Sequence, residues 1–572
     1  MPSSMFQKKE RILRLPGYGL PISHGIRRRD RQPFLLGLQP EDWEASTLTN
    51  REVCMLKLME DITNKPQWWL KVLNPEIVSN WKREALQMPW EDYQKNADFT
   101  HDMAEMFYQA TSLIPVMDYS ACVIKSDKLL TPQLTARLKA AVAKLEDVPE
   151  SSRDWHPGSD EKVLDLVHPS LWPLVYGSSK IVTDNYIPLS QCLDFCGKGV
   201  TIRKPTRPKL EMPSEWEYRA WDRERAEEAA LSTKFQWLPC DVDIAGERPR
   251  IESYINNIHP VHHADLYPII EELIEKSLPA WDLVCRSTSK EIKFQRFEMI
   301  EAVERKCLTP EICAEHHGYC YSSNVPREIL ERQGMIDMED NAIRRDSRFD
   351  EIAESWYKET HPVKLPGLVA NPSYPLDASS VKSQGFFNSA SRIQVIVKLA
   401  NIHLTPEKPT YDGGSWHVEG QLNEHICASA LYYYDSENIT DSRLAFRACA
   451  DGENLSEDLQ YDQSDYSGIE AIFAIDAQGT QAQRVGSVLT PEGRALFFPN
   501  VYQHQVEPFQ LQDTTRPGHR KIVALFLVDP AIPIISTGNV PPQQKHWWTE
   551  RMTNTEPLIS LPNEIRNMIL EK

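Results

Sequence analysis

The chain has 572 residues, 41% of them hydrophobic, with 15 Trp, 20 Tyr and 17 Phe, and its formal net charge is −19. This apolar content excludes a disordered chain, and at about 150 residues per domain the length predicts three or four structural units. The acidic balance argues against nucleic acid as a partner. No apolar run reaches the roughly 18 residues of a membrane-spanning helix, so we expect no membrane partner.

The N-terminus and the cysteines bear on the cellular compartment. The opening MPSSMFQKKERILRLPG lacks the apolar stretch of a secretory signal, although its basic, Ser-containing character leaves a mitochondrial presequence open. The 11 cysteines are scattered and odd in number, which is typical of reduced thiols. We therefore expect a cytoplasmic or nuclear protein, with mitochondria as the alternative.

Residues 1–240 are predicted to form an N-terminal arm followed by a mainly helical region. The arm, residues 1–35, is basic and punctuated by Pro and Gly. Helices are expected where apolar residues recur at helical spacing or where charges alternate on a solvated face: over residues 39–88, 100–117, 130–148 and 215–235. Thr131-Pro132 is a favourable start for the third of these helices.

Residues 241–388 are predicted to mix strands, one helix and a lid. Short β-branched segments over residues 236–244 and 250–260 predict strands. Residues 261–281 have the apolar stripe of an amphipathic helix. The stretch 340–380 is polar and contains several Pro, which is typical of a loop that forms a lid or a boundary.

Two groups in this region contain the residue types that bind metals. His263 and Asp265 directly precede the apolar stripe of the predicted helix, so we interpret them as helix-start residues rather than as a metal site. The second group has ligand types and short spacings that zinc accepts: Cys307, Cys313, His316, His317 and Cys320. No second paired half is visible, and a helix running into a loop is the alternative interpretation.

Residues 389–540 are predicted to form the catalytic core, and residues 541–572 a C-terminal tail with a helix. Apolar segments separated by Gly, Pro and Asp turns favour the strands of a jelly roll. The predicted strands are RIQVIVKLANIHL, HICASALYYYDS, AIFAID, RVGSVLT, RALFFPN and KIVALFLVDP. With the helical N-terminal half, they predict an α+β fold.

The most informative stretch of the chain is GGSWHVEGQLNEH, which contains His417 and Glu419. In an extended strand, side chains two positions apart point to the same face, so this pair can occupy adjacent positions on a metal. Farther along, His504 lies between a short apolar strand and a Val-x-Pro turn, and Arg520 begins the apolar run IVALFLV. Two histidines, one carboxylate and open positions describe the facial triad of non-heme Fe(II) oxygenases. We therefore predict a metal site formed by His417, Glu419 and His504.

These motifs carry a family resemblance. The chain resembles the 2-oxoglutarate/Fe(II)-dependent oxygenases in three motifs and in their order. The motifs are HVE, a distal histidine after FFPN, and Arg520 in GHRK. Where the commoner oxygenase pattern has Asp, this chain has Glu419. From about Leu15 onward, the wider sequence, including LPGYGLP, SYINNIHP and YYYDSENIT, resembles a large family of uncharacterised fungal proteins.

The oxygenase resemblance implies a fold, a cofactor set and site roles. The core would be a double-stranded β-helix, a cupin-like jelly roll. The cofactors would be Fe(II), held by the three predicted ligands, with 2-oxoglutarate as cosubstrate and O₂ as oxidant. Arg520 would bind the distal carboxylate of 2-oxoglutarate through its planar fork. His519 and Lys521 are rivals for this role, but on a strand they project to the opposite face.

Other residues near these motifs have less specific predicted roles. Tyr432 and Tyr434 share one face of their strand, and one face could supply a hydroxyl to bind the cosubstrate, although aromatic packing is the alternative. Three residues after the HVE motif are expected to order the surroundings of the ligands: Asn423, Glu424 and His425. Three basic residues are interpreted as ordinary surface charges: Arg494, Arg516 and Lys398.

The predicted function is a 2-oxoglutarate/Fe(II)-dependent dioxygenase acting on an unidentified small-molecule or peptide substrate. Hydroxylation, demethylation and desaturation fit equally well. Two alternatives stay open. The first is a zinc- or manganese-dependent, cupin-like hydrolase or isomerase that uses the same three ligands. The second is a non-catalytic scaffold, which the helical N-terminal half suggests.

Overall fold

In the computed structural model of the chain, the described residues are 13–22, 24, 47–87, 114–116, 123–206, 231–288, 304–315, 320–335, 348–364, 387, 390–449, 467–473, 475, 482–553, 560–562 and 564–565. Within these residues the protein combines helices with antiparallel sheets. The helical and β parts of the predicted α+β class are therefore both present.

Twelve of the described strands form the two larger sheets. In chain order they are β1 (Ile114–Val116), β2 (Val123–Ser126), β3 (Val163–Val167), β4 (Cys240–Asp243), β5 (Arg250–Ile251), β6 (Arg392–Leu404), β7 (Ile426–Glu437), β8 (Arg443–Cys449), β9 (Ala482–Leu489), β10 (Ala495–Pro499), β11 (Gln503–Val506) and β12 (Gly518–Val528).

The larger sheet has nine strands in the order β5-β4-β6-β12-β7-β10-β2-β1, with β3 also paired to β6. The smaller sheet has the order β9-β8-β11. All of these pairs are antiparallel. Because β1 to β5 precede residue 389, the large sheet extends across the predicted boundaries of the catalytic core.

Short two-residue strands form five further pairs in the described part of the chain: Leu15–Pro16 with Gly19–Leu20, Leu174–Val175 with Phe235–Gln236, Lys180–Ile181 with Val200–Thr201, Glu304–Arg305 with Val363–Lys364, and Thr410–Tyr411 with Phe509–Gln510.

The described helices are α1 (Asn50–Thr63), α2 (Trp68–Lys71), α3 (Pro75–Gln87), α4 (Pro132–Glu146), α5 (Leu266–Thr288), α6 (Pro310–Glu315), α7 (Arg327–Arg332), α8 (Phe349–Thr360), α9 (Ser467–Phe473) and α10 (Lys545–Thr553). Helix α4 begins as the sequence predicts, because the Thr131 hydroxyl accepts a hydrogen bond from the Leu134 amide at 3.2 Å. None of the helices in these ranges is both long enough and apolar enough to cross a bilayer.

The two faces of the large sheet pack against different partners. Alternate residues such as Val397, Tyr432 and Leu525 pack against α4 and α5 in one core cluster. Their neighbours on the other face, such as Tyr433 and Phe526, share a second cluster with residues of the small sheet. The two sheets therefore face each other across an apolar layer, as side-chain alternation along strands allows.

Outside the predicted site, three segments differ from the local structure that the sequence predicts. Residues 114–116 form a strand at the edge of the large sheet, not the end of a helix. The segment AIFAID, predicted as a strand, overlaps helix α9, which buries Ile469, Ile472 and Phe473 at helical spacing. The stretch 340–380, predicted as a loop, contains helix α8, whose buried Phe349, Ala353 and Trp356 follow helical spacing, and its role as a lid or boundary stays a prediction.

Other predictions fall on residues outside the described ranges. They are most of the helix at 215–235, residues 100–113, most of the C-terminal segment LPNEIRNMILEK, and the rest of the lid at 340–347 and 365–380.

Candidate metal centre and its cavity

A cavity of about 1270 Å³ is lined by residues of both sheets. Its lining includes all four residues of the predicted site, namely His417, Glu419, His504 and Arg520. The structure therefore brings together residues that are up to 103 positions apart in the sequence (520 − 417).

One potential ligand atom each from His417, Glu419 and His504 lies within 4.8 Å of the other two. The Glu419 Oε1 atom is 3.3 Å from His504 Nε2 and 3.8 Å from His417 Nε2. The two imidazole rings are 4.4 Å apart, centroid to centroid. Two nitrogens and one carboxylate oxygen thus converge on one point, as a facial metal site requires.

The backbone holds the two histidines side by side. The His417 amide donates to the His504 carbonyl at 3.2 Å, and the His504 amide donates to the His417 carbonyl at 2.9 Å. His504 is itself fixed in β11, where it pairs with Phe446 of β8. The small sheet therefore positions one ligand directly and the other through this bridge.

The HVE motif lies in a loop with a single β-bridge rather than in the predicted strand. Gly413 and Gly420, on either side of it, have φ values of 95° and 69°, which favour glycine. A side chain at Gly413 would lie 2.8 Å from the Val506 carbonyl oxygen. The loop thus approaches β11 closely, and the two side chains converge without regular strand geometry.

Hydrogen bonding fixes the tautomer of His417. Its Nδ1 lies 2.8 Å from the Ser415 carbonyl oxygen, which can only accept, so Nδ1 carries the proton. Nε2, the nitrogen nearer Glu419, then presents its lone pair toward the shared point. A hydrogen bond from the remote ring nitrogen to a carbonyl is a common arrangement for metal-binding histidines.

Asn500 clamps the backbone of Glu419. Its side-chain oxygen accepts from the Glu419 amide, and its side-chain nitrogen donates to the Glu419 carbonyl, both at 2.9 Å. Burial by itself would raise the pKa of Glu419, but the hydrogen bond and charge of His504, with Lys398 and His417, lower it to about 2. The carboxylate is therefore ionised at neutral pH, the form that binds a metal.

Arg520 is a buried cation in the cavity wall. It is 2% exposed, and none of the described residues provides it with a carboxylate within 4.0 Å. Its guanidinium makes a long contact of 3.4 Å to the Thr490 hydroxyl, and its Nε has no hydrogen-bond partner among the described residues. The guanidinium carbon lies 4.6 Å from the centre of the Tyr433 ring. A buried charge of this kind is costly unless a ligand pairs with it.

The neighbours of Arg520 on β12 point away from the cavity, as strand alternation predicts. His519 Nε2 lies 3.1 Å from Asp435 Oδ2. Lys521 Nζ lies 2.9 Å from Glu146 Oε1 and 3.4 Å from Asp435 Oδ2. Both rival side chains therefore lie close to carboxylates on the other face of the sheet.

Tyr433, rather than Tyr432 or Tyr434, lines the cavity. The Tyr432 hydroxyl contacts Ser277 at 2.7 Å and the Leu273 carbonyl at 2.8 Å, on the α5 side of the sheet. Tyr434 belongs to the same core cluster as Tyr432. The expectation that this pair supplies a cosubstrate hydroxyl is therefore corrected, because its face of the strand packs against helices.

Lys398 and His168 line the cavity, although no sequence motif selects either of them. Lys398 was interpreted as a surface charge, but its charge helps to lower the pKa of Glu419. Burial, followed by the charge of Lys398, lowers the pKa of His168 to about 4. Strand alternation places Lys398 on the same face as Ile396, but only the fold shows that this face meets the cavity.

The other two predicted surface charges differ from each other. Arg494 is 3% exposed and forms a bidentate pair with Asp127, at 2.6 and 2.7 Å, so that prediction is wrong. Arg516 is exposed and lies 3.3 Å from Asp513. Neither residue lines the cavity.

The residues after the HVE motif connect its loop to the segment 232–237. The Asn423 side chain accepts from the Ser232 amide at 3.0 Å, and Glu424 accepts from the Trp237 amide at 2.9 Å. Burial raises the pKa of Glu424 to about 7. His425 is buried with a φ of 49°. These contacts hold the loop against a neighbouring segment, and the role of the three residues in ordering the ligands stays a prediction.

The two other candidate metal groups have different outcomes. Asp265 pairs with Lys144 at 2.7 Å, and His263 and Asp265 are not part of a shared ligand cluster in the described chain. The sulfurs of the cysteine group do converge, and the nitrogen beside them belongs to His361. Residues 316–319, including His316, lie outside the described ranges.

Comparisons with known proteins identify a family. A profile described as "Protein of unknown function (DUF4246)" matches residues 97–551. A second profile, "Domain of unknown function DUF4246, N-terminal", matches residues 15–84. No curated protein matches the sequence. The matched ranges include the stretches LPGYGLP, SYINNIHP and YYYDSENIT.

Two solved structures show limited similarity. One is an Fe(II)/(alpha)ketoglutarate-dependent dioxygenase, TqaL, with 14% identity, a TM-score of 0.16, and coverage of 34% of this chain and 58% of that chain. The other is a bsmA homologue from Methylobium petroleophilum PM1, with 14% identity, a TM-score of 0.14, and coverage of 28% and 57%. The chain thus spans less than two thirds of each structure, and similarity at this level carries no argument about function.

Proposed function

The chain belongs to the DUF4246 family, and we propose that this protein is a 2-oxoglutarate/Fe(II)-dependent oxygenase. One observation carries the proposal: a single cavity contains a two-histidine, one-carboxylate cluster and a buried guanidinium without a carboxylate partner among the described residues. A bound metal ion would explain the cluster of histidines and carboxylate, and an anionic cosubstrate would explain the buried guanidinium.

The donor set fits Fe(II). Imidazole nitrogens and a carboxylate oxygen on one side of a metal leave positions open for other ligands. The lone pair of His417 Nε2 faces Glu419, and the pKa of Glu419 is held low enough for the ionised form. Iron held by these three residues would, together with 2-oxoglutarate, supply oxidising chemistry from O₂.

The remaining residues bind and orient. Arg520 pairs with the distal carboxylate of 2-oxoglutarate, for which a planar fork is suited. The Tyr433 ring supports the guanidinium from one side, at 4.6 Å, and limits its orientation. Asn500 holds the Glu419 backbone so that the carboxylate points at the two imidazoles.

The size of the cavity supports a second occupant beside the cosubstrate. Small-molecule sites are commonly about 300–1,000 Å³, whereas this cavity is about 1270 Å³. We propose that the remaining space receives a small molecule or a peptide side chain, and that two antiparallel sheets with a site between them form a double-stranded β-helix core.

The test combines metal binding with turnover. Anaerobic titration of the apo protein with Fe(II) should give one equivalent bound, and His417→Ala and His504→Ala should each abolish it while circular dichroism stays unchanged. His519→Ala is the matched control, because this imidazole lies on the opposite face of β12. The wild-type protein should release succinate only when Fe(II), 2-oxoglutarate and O₂ are all present. Iron binding without binding of 2-oxoglutarate would refute the oxygenase proposal and favour a metal-dependent hydrolase or isomerase.

A further inference from the structure

We propose that Cys307, Cys313, Cys320 and His361 form a structural zinc site of the Cys₃His type, separate from the cavity described above. One ligand atom from each of these four residues lies within 4.8 Å of the other three. Three thiolates and one imidazole are a donor set that structural zinc commonly takes.

Two donor separations in the cluster are close to those expected around a tetrahedral zinc. Sulfurs bound at about 2.3 Å in tetrahedral geometry are about 3.8 Å apart, and a sulfur and a nitrogen on the same zinc are about 3.6 Å apart. The Cys307 and Cys313 sulfurs are 3.6 Å apart, and Cys313 Sγ is 3.3 Å from His361 Nε2. These two separations are close to the zinc values, and the remaining donor separations are within 4.8 Å.

The protonation of His361 is also that of a metal ligand. The Thr360 hydroxyl lies 2.7 Å from the Trp356 carbonyl oxygen, which can only accept, so it donates its single hydrogen there. The same hydroxyl oxygen lies 3.0 Å from His361 Nδ1 and must accept from it. Nε2 then carries the lone pair and faces Cys313. A zinc-bound histidine usually has its tautomer fixed in this way, by a hydrogen bond from the ring nitrogen that does not bind the metal.

Strand pairing explains why a histidine so far along the chain completes the cluster. Glu304–Arg305 pairs with Val363–Lys364, and beyond this pair the Leu308 amide donates to the Thr360 carbonyl at 2.9 Å. Cys307 and His361 are thereby held opposite each other. His361 is fully buried, so its position is set by packing and not by solvent.

The segment around the four donors has a small apolar core that a metal ion would help to stabilise. Its apolar core is a separate small cluster: Val325, Leu330, Met335, Phe349, Ala353 and Trp356. Small units with limited cores are often stabilised by disulfides or metal ions. A zinc ion would link helix α6, the residue Cys320 and the end of helix α8, in addition to this small core and the strand pair.

Zinc analysis of the full-length protein tests the site. The wild-type protein, after removal of loosely bound metal, should contain one zinc per chain, and Cys313→Ser and His361→Ala should contain none. His417→Ala, which alters the cavity cluster, should keep its zinc. A failure of the zinc proposal can therefore be distinguished from a failure of the iron proposal. His263→Ala is a second control, since that histidine lies outside the cluster.

X-ray absorption at the zinc edge of the wild-type protein requires no variant and covers the case in which a variant fails to fold. It should show three sulfurs at about 2.3 Å and one nitrogen at about 2.0–2.1 Å. Zinc bound only by nitrogen and oxygen, or a wild-type protein that takes up no zinc after reduction, would overturn the proposal. A Cys307–Cys313 disulfide as the main form of the freshly purified protein would overturn it as well.

Discussion

Replacing Arg520 with methionine removes a buried cation while keeping an unbranched side chain. Because Arg520 is 2% exposed and lacks a carboxylate partner in the described chain, the effect of this change should depend on the ligand. Without 2-oxoglutarate, Arg520→Met should unfold with the same free energy as the wild type or a higher one, since an unpaired buried charge is unfavourable.

When 2-oxoglutarate is bound, the same substitution should be unfavourable, because it removes the partner of the ligand's carboxylate. Truncating one side of a buried, hydrogen-bonded charge pair costs roughly 2–5 kcal/mol. At about 1.4 kcal/mol per tenfold, this corresponds to an affinity loss of about 30-fold to several thousand-fold. Arg520→Lys should recover only part of the loss, because an ammonium restores the charge but not the planar fork.

Calorimetry of anaerobic Fe(II) protein measures the affinity directly, and unfolding in the presence of ligand provides a second measurement. Ligand at about 100 times the wild-type Kd should stabilise the wild type by about 2.7 kcal/mol, and a 30-fold weaker variant by only about 0.9 kcal/mol. Lys521→Met is the matched control, because the adjacent side chain pairs with Glu146 and Asp435 on the other face.

Iron binding should survive in Arg520→Met, because Arg520 is not one of the ligands. Unchanged 2-oxoglutarate affinity in the iron-loaded variant would falsify the role assigned to Arg520. An equal loss in Lys521→Met would show that the effect comes from the strand and not from the guanidinium.

Three further predictions concern positioning and stability. Asn500→Ala removes the clamp on Glu419 and should weaken iron binding by about 10- to 100-fold with the far-UV circular dichroism unchanged; wild-type iron affinity would contradict the clamp. Lys125 and Glu60 form a fully buried pair at 2.5 Å, so Lys125→Met should lower the free energy of unfolding by about 3–5 kcal/mol in denaturant titrations, and adding Glu60→Gln should restore most of it; an unrestored loss would show that the charge of Glu60 is not the cause. Burial raises the pKa of Asp529 from 3.8 to about 6, so this carboxyl ionises first in the unfolded chain, and its contribution to the free energy of unfolding falls as pH rises from about 4 to about 6. Asp529→Asn should therefore gain up to about 3 kcal/mol over the wild type across this pH range, and a pH-independent difference would argue against this burial effect.

Local sequence patterns were sufficient for the elements that their own residues mark by capping, composition or flanking turns. The start of α4 at Thr131 follows from a hydroxyl that reaches an amide three residues later. The long strands β6, β7 and β12 follow from apolar composition and turn residues. Strand alternation also separated Arg520 from His519 and Lys521, because side chains on a strand must take opposite faces.

Alternation assigns residues to two faces but does not say what either face contacts. Tyr432 and Tyr434 were therefore chosen where Tyr433 lines the cavity, because only the packing of α5 on one face decides between them. The helix α9 was missed for a related reason, since its short apolar run fits a buried strand as well as a helix.

The sequence by itself determined the chemical types at the site: the two histidines, the carboxylate and the arginine, in an order that predicts a metal and an anion. Only the tertiary structure decided which residues surround them. Asn500 reaches Glu419 across 81 positions, and His361 reaches Cys313 across 48. Such contacts depend on strand register and packing, which are set by the whole chain, so no local pattern predicts them.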